Sequence, residues 1–160
     1  MKVYVTNKFA SLRGSSAVTD MSGNVLYKVK GKMLSVTRKK SVYDVNGNLL
    51  FKVRNKFFNF FVHKAFIYDA EGNKIARVRD KMFNYKKQYF VEGYSEQIRT
   101  DGNFLSLTAQ IYRNEIPIGV IRRNVTVFVD KFELEADPRD IPFLIALVIA
   151  IDNIQDKKKK

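Results

Sequence analysis

Apolar and polar positions alternate with a period of two along most of this chain, the pattern of strands with one buried and one exposed face. The alternation is organised by a nineteen-residue unit that occurs three times, at Val18–Val36, Val42–Phe60 and Ile67–Tyr85, with starts 24 and 25 residues apart. Each copy reads apolar–x–Asp–x–x–Gly–Asn and then a second alternating run. The Asp (Asp20, Asp44, Asp69) can accept a bond from a backbone N–H two residues on, and the Gly (Gly23, Gly47, Gly72) supplies the positive φ that a short connection needs. Each unit is therefore a predicted β-hairpin. A calcium loop is the competing reading of Asp44-x-Asn46-Gly47-Asn48. An EF-hand, however, needs Gly at loop position 6 and Glu at 12. Here Gly stands at 4 and Asn55 at 12, so turn chemistry wins.

Alternation continues outside the repeat. Val3–Thr6, Gln88–Glu92, Phe104–Tyr112, Ile116–Arg122, the run Val125, Val127, Val129 and the pair Phe132, Leu134 all read as strands. Asp101-Gly102-Asn103 is the expected turn before Phe104, and Asn114-Glu115 the expected tight turn before Ile116. That makes roughly ten to twelve short strands, a spacing that suits an all-β barrel or sandwich.

Period two then gives way to a block with no period at all. Asp137-Pro138-Arg139-Asp140 carries helix-start chemistry, with Asp140 preferred as N-cap because it places Pro142 harmlessly in the first turn. Ile141–Ile151 follows without one polar side chain. A helix apolar on every side must be buried on every side. Eleven residues fall short of the about 20 that span a bilayer, and Asp152 and Asp156 close the run. Burial is worth about 15–25 kcal/mol before entropy, as an upper bound. Two packed layers cannot cover all sides of a helix, but strands wrapped around it can. The expectation is one domain over 1–156, a mainly β, closed antiparallel barrel of about 12 strands enclosing a C-terminal helix over 140–154, with a disordered Lys tail at 157–160.

Composition adds charge to this picture. The chain has 160 residues, 46% of them apolar, no cysteine and a net charge of +13. Residues 1–91 hold 19 Lys and Arg against 5 Asp and Glu, whereas residues 92–156 hold 6 against 11. Most of the excess alternates on the second strand of each repeat. Lys28, Lys30 and Lys32, then Lys52, Arg54 and Lys56, then Arg77, Arg79 and Lys81 share parity within their strands. Nine cations should thus project from one side of three related strands, an anion-binding face.

The Asp-x-x-Gly-Asn-x-Leu hairpin at Asp44–Leu49, followed at the end of the chain by the apolar helix Asp140–Ile154, resembles the LURP-one-related family. The likeness runs from about Val18 to Ile154. That family belongs to the tubby C-terminal-like superfamily, with the phospholipid scramblases. The resemblance implies a twelve-stranded barrel around a central helix. Tubby relatives bind phosphoinositide headgroups through basic side chains, but no motif carries those ligand residues onto this chain. Without a cysteine cluster or a membrane-length segment, lipid scrambling is not expected.

Catalytic chemistry finds no foothold. His63 has no Ser, Cys or carboxylate placed by spacing, the Asp residues are used by turns and caps, and phosphate-binding glycine motifs are absent. No catalytic residue, metal or cofactor is expected. The pattern points to a non-enzymatic, monomeric binding module, cytoplasmic and peripheral to a membrane, that engages anionic phospholipid headgroups. A nucleic-acid or acidic-protein adaptor with a regulatory role ranks second, because the sequence lacks the alternation of basic and exposed aromatic residues on one sheet face that single-strand binders use. A soluble scaffold ranks third. Phe57-Phe58-Asn59-Phe60-Phe61 reads either as an apolar wedge beside the basic strands or as a crossover that caps one end of the barrel.

Overall fold

The computed structural model describes residues 1–6, 15–31, 37–57, 63–80, 89–103, 108–125 and 130–157. Twelve strands lie in one antiparallel sheet: β1 Lys2–Thr6, β2 Ser15–Thr19, β3 Val25–Gly31, β4 Lys40–Asp44, β5 Leu49–Asn55, β6 Lys64–Tyr68, β7 Lys74–Asp80, β8 Tyr89–Gly93, β9 Ile98–Asn103, β10 Thr108–Arg113, β11 Ile116–Val125 and β12 Asp130–Ala136. One helix, α1 Ile141–Lys157, ends the described chain. The order of hydrogen-bonded neighbours runs from β8 down to β1, then β12 down to β9. The sheet curls into a nearly closed barrel whose two edges, β8 and β9, are consecutive in sequence.

The three repeats are β2–β3, β4–β5 and β6–β7. In each turn the Asp backbone N–H bonds the Asn carbonyl at 3.0 Å, closing the hairpin. Glycine is required there, since Gly23, Gly47 and Gly72 have φ of 86°, 89° and 96°. Each hairpin also shifts register beside its turn, between Val18 and Thr19, Val42 and Tyr43, and Ile67 and Tyr68. Such a bulge coils the strand pair and helps the sheet curl. Asn114 and Glu115, at φ 49° and 63°, make the β10–β11 turn as the sequence suggests. Asp101-Gly102-Asn103 is not a turn. It lies within β9 and pairs with β10 through Asp101↔Gln110 and Gly102↔Ala109. Gly102 has a positive φ (99°), and a Cβ there would also lie 2.5 Å from the Thr108 carbonyl oxygen, so both features favour glycine.

The inward positions are small and branched. Val3, Val5, Val18, Val29, Val42, Val53, Ile67 and Val78 are fully buried. They face α1, and no residue from Phe143 to Ile154 is more than 5% exposed. Asp140 precedes the helix and its carbonyl accepts the Leu144 N–H at 3.1 Å. Its carboxylate receives Arg113 Nη1 at 2.6 Å, and that guanidinium lies over the Phe143 ring. The helix continues past 154, to Lys157. At its far end Lys40 points into the barrel, 3.4 Å from the buried Asp152 carboxylate. Asn55 donates to the Asn153 carbonyl at 3.1 Å, and Asn153 donates to that of Arg38 at 3.0 Å.

Candidate functional site: the basic outer face of β3–β7

Parity places the cations. Val29, Val53 and Val78 are buried inside, so Lys28 and Lys30, Lys52 and Arg54, Arg77 and Arg79 stand on the outer side of β3, β5 and β7. Lys56 follows β5 and is exposed. Lys32, Lys81 and Phe58–Phe61 lie outside the described residues. His63, just ahead of β6, is half-buried.

The intervening strands supply what was not read from the sequence. β4 and β6 turn Ser41, Tyr43, Phe66 and Tyr68 to the same outer side. Cross-strand pairing then builds rows across the face. Lys30, Ser41, Lys52, Tyr68 and Lys74 form one row. Arg54, Phe66, Arg77 and Glu92 form a second. Cations and aromatics thus alternate on one sheet face, which corrects the expectation that they would not: the pairing of neighbouring strands, not the order along one strand, brings them together. The contacts are close: Lys30 stands 5.1 Å over Tyr43, Arg54 4.6 Å over Tyr68, and Lys74 4.7 Å over Phe66 and 5.4 Å over Tyr94.

Lys74 is missed by strict alternation for a clear reason. Counting back from the inward Ala76 would aim Lys74 inward as well. The bulge between Ile67 and Tyr68 breaks that count, packs Ile75 against the core and leaves Lys74 exposed opposite Tyr68.

Acidic partners divide the face. Glu92 on β8 accepts Arg77 Nε at 3.0 Å and Arg79 Nε at 2.8 Å. The two guanidiniums, Arg77 first, hold the Glu92 carboxyl below the ordinary range, and Glu92 raises Arg77 in return. The nine predicted cations are therefore not equivalent, since two share a carboxylate. No carboxylate among the described residues forms an ion pair with Lys28, Lys30, Lys52, Arg54 or Lys74. The opposite wall differs: Lys2, Arg99, Arg113, Arg122 and Arg139 each bridge an acid.

Cations of this face converge. Lys39, Lys52, Arg54, Tyr68 and Gly72 line a surface cavity of about 200 Å³. Arg54 Nε donates to the Tyr68 hydroxyl at 2.8 Å, which holds the guanidinium in place at the cavity wall. Such a hollow can desolvate and bind an anion. Among the described residues no group of three or more His, Cys, Asp or Glu is placed to hold a metal ion.

The sequence model of the LURP-one-related family matches residues 1–152. This chain belongs to the LURP-one-related family. A similar fold is seen in an X-ray structure of a protein from Arabidopsis thaliana, which superposes with a TM-score of 0.59 at 16% sequence identity, covering 96% of this chain and 91% of that one. At that identity the likeness shows the fold alone. No curated protein matches this LURP-one-related chain. Among the described residues no helix is long and apolar enough to cross a membrane.

Proposed function

We propose that this LURP-one-related barrel is a non-enzymatic binding module that engages anionic phospholipid headgroups at a membrane surface. The observation that carries the reading is the set of cations without ion pairs on β3, β5 and β7, around a hollow lined by Lys39, Lys52 and Arg54. A cation with no carboxylate partner among the described residues has no ion pair to break when it meets a phosphate, whereas one that is already bridged must break that contact first. Each Lys or Arg near an anionic surface contributes about 1 kcal/mol, so four or five acting together give reversible docking.

The cross-strand aromatic rows favour a second reading, single-stranded nucleic acid stacked on Tyr43, Phe66 and Tyr68. It ranks lower because Lys30, Lys74 and Arg54 already occupy those rings. Sedimentation with vesicles of phosphatidylserine and phosphatidylcholine, over a salt series and with single-stranded RNA as competitor, separates the two. The parent should pellet at low salt. Lys30→Gln/Lys52→Gln/Arg54→Gln/Lys74→Gln should bind more weakly by about fivefold per charge removed. A parent that stays in the supernatant with every vesicle, or a quadruple variant that binds like the parent, refutes the lipid reading. RNA retained after vesicles are outcompeted supports the second.

A further inference from the structure

We infer that the repeats build one oxyanion site more than once, that the copy on β5–β6 is open to phosphate, and that Glu92 keeps the copy on β7–β8 shut. The inference rests on the lipid reading above, in which headgroup phosphate supplies the oxyanion. It adds where that oxyanion sits and what bars it from the neighbouring copy. Pairing gives the copies a common frame. Across β5 and β6 the partners are Lys52↔Tyr68, Val53↔Ile67 and Arg54↔Phe66. Across β7 and β8 they are Arg77↔Glu92, Val78↔Val91 and Arg79↔Phe90. In both, a cation faces a polar side chain, a buried aliphatic pair follows, and an arginine faces a phenylalanine. Across β3 and β4 the frame is Lys28↔Tyr43, Val29↔Val42 and Lys30↔Ser41, without a guanidinium.

The β7–β8 copy displays what the frame can hold. Glu92 Oε2 accepts from Arg77 Nε at 3.0 Å and from its Nη2, and Glu92 Oε1 accepts from Arg79 Nε at 2.8 Å. Two cations on one strand face thus grip one oxyanion through separate oxygens. In the β5–β6 copy Tyr68 stands where Glu92 stands. Its hydroxyl oxygen takes the Arg54 Nε–H at 2.8 Å, as Glu92 Oε1 takes that of Arg79. The place of the second carboxylate oxygen, beside Lys52, goes to no acid among the described residues. Every stretch between β1 and α1 that lies outside the described residues is free of Asp and Glu. The cavity lined by Lys39, Lys52, Arg54 and Tyr68 lies at this copy.

Tyrosine in place of a carboxylate changes what the copy can do. With its oxygen accepting from Arg54, Tyr68 keeps its O–H proton for a second partner. That hydroxyl, the Lys52 ammonium and the Arg54 guanidinium present donors to several oxygens at once, which suits the many acceptors of a phosphate. At the β7–β8 copy an outside phosphate must instead displace a carboxylate tethered in place, whose effective concentration is on the order of millimolar or above. The arginines there are the better oxyanion ligands, since each guanidinium can bind through a planar fork. Their site is withheld only because β8 supplies the acid. Glu92 is therefore the residue that sets how many guanidinium sites this face offers to an anionic surface.

Inorganic phosphate and vesicles test the two parts separately. Arginine Nε–H signals would be followed by NMR as phosphate is titrated into the parent, Glu92→Gln, Tyr68→Phe and Glu135→Gln. The same four proteins would be pelleted with phosphatidylserine–phosphatidylcholine vesicles. Glu135→Gln is the control, because it removes the same charge from an ion pair with Arg122 on the opposite wall. In the parent, phosphate should shift Arg54 and leave Arg77 and Arg79 unmoved. Glu92→Gln should let Arg77 and Arg79 respond as well and tighten vesicle binding by about fivefold. Tyr68→Phe, which keeps the net charge, should weaken the Arg54 response several-fold. Arg54 silent in the parent, Arg77 and Arg79 silent in Glu92→Gln, or Tyr68→Phe responding like the parent overturns the inference. So does Glu135→Gln matching Glu92→Gln in both readouts. Pelleting with Arg54 silent refutes this inference and leaves the lipid reading standing. An Arg54 that responds in a parent that never pellets refutes the lipid reading and assigns the site to free phosphate.

Discussion

Two kinds of aspartate show how far single residues were readable. Asp20, Asp44 and Asp69 were assigned to turns from spacing alone, and the turns are where they were placed. Their main partner was not foreseen: in each repeat the following Asn gives both its backbone N–H and its side-chain amide to one carboxylate, at 2.8 Å each for Asn48 and Asp44. These bonds, that of the Asn side chain first, hold each carboxyl below the ordinary aspartate range. A depressed folded value stabilises the fold above the unfolded pKa of about 3.9 and is lost as pH falls through the folded value. Stability should therefore decline as pH is lowered below about 4. In a side-chain NMR titration Asn48→Ala should move Asp44 upward while Asp20 and Asp69 stay put; an unmoved Asp44 contradicts this account. Asp152 was read only as the close of the apolar run. Its partner Lys40 was illegible, because a lysine at a strand start reads as surface and nothing nearby marks the inward parity. Both side chains are over 90% buried. Lys40→Met alone should cost about 3–5 kcal/mol in urea melts, and Lys40→Met/Asp152→Leu should recover most of it. A double variant as unstable as the single one would mean that the pair does more than neutralise itself.

Elements were most legible where one period persisted. The repeat fixes three hairpins, and the polar-free run Ile141–Ile151 fixes a central helix whose faces all need cover. What failed was β9. Its Asp101-Gly102-Asn103 has turn composition, but the glycine answers to a neighbouring strand pressing on it, a tertiary cause with no local signature. Gly119 on β11 is a related case. A Cβ there would lie 2.6 Å from Leu144 Cδ1 and 2.9 Å from the Glu135 carbonyl oxygen. Leu144 can shift but the backbone cannot, so Gly119→Ala should cost about 1–3 kcal/mol by overpacking. Leu147→Ala, at the middle of α1, leaves a cavity that a strand-lined wall cannot collapse into, and should cost about 2–5 kcal/mol. Equal melting temperatures for these variants and the parent would show that the helix is not held from all sides.

At the scale of the molecule the charge asymmetry was legible because the repeats are themselves a wall: the basic first part of the chain is β2–β7, and the acidic second part neutralises its own cations on β9–β12. Closure was legible only in outline. Every repeat turn is drawn tight by Asp and Asn, but the Tyr94–Gln97 connection between β8 and β9 has no such pair and no glycine of its own. It folds over Gly93, where an added Cβ would lie 1.8 Å from the Glu96 carbonyl oxygen. Tyr94 N–H bonds back to Ile75 on β7 and Gln97 carbonyl forward to Asn114, so each side of the connection is pulled toward its outer neighbour. The strands splay, and a cavity of about 270 Å³ opens between Tyr89–Val91 and Ile98–Gly102. Backbone N–H groups on the facing edges of β8 and β9 lack a ladder partner, whereas those of β4 and β5 are paired on both sides. Exposed, unpaired amides exchange without waiting for global opening. In native-state hydrogen exchange the facing-edge amides of β8 and β9 should lose protons at least about 100 times faster than β4 and β5. Uniform protection across all four strands would mean that the barrel closes fully in solution and that the splay is not a property of the fold.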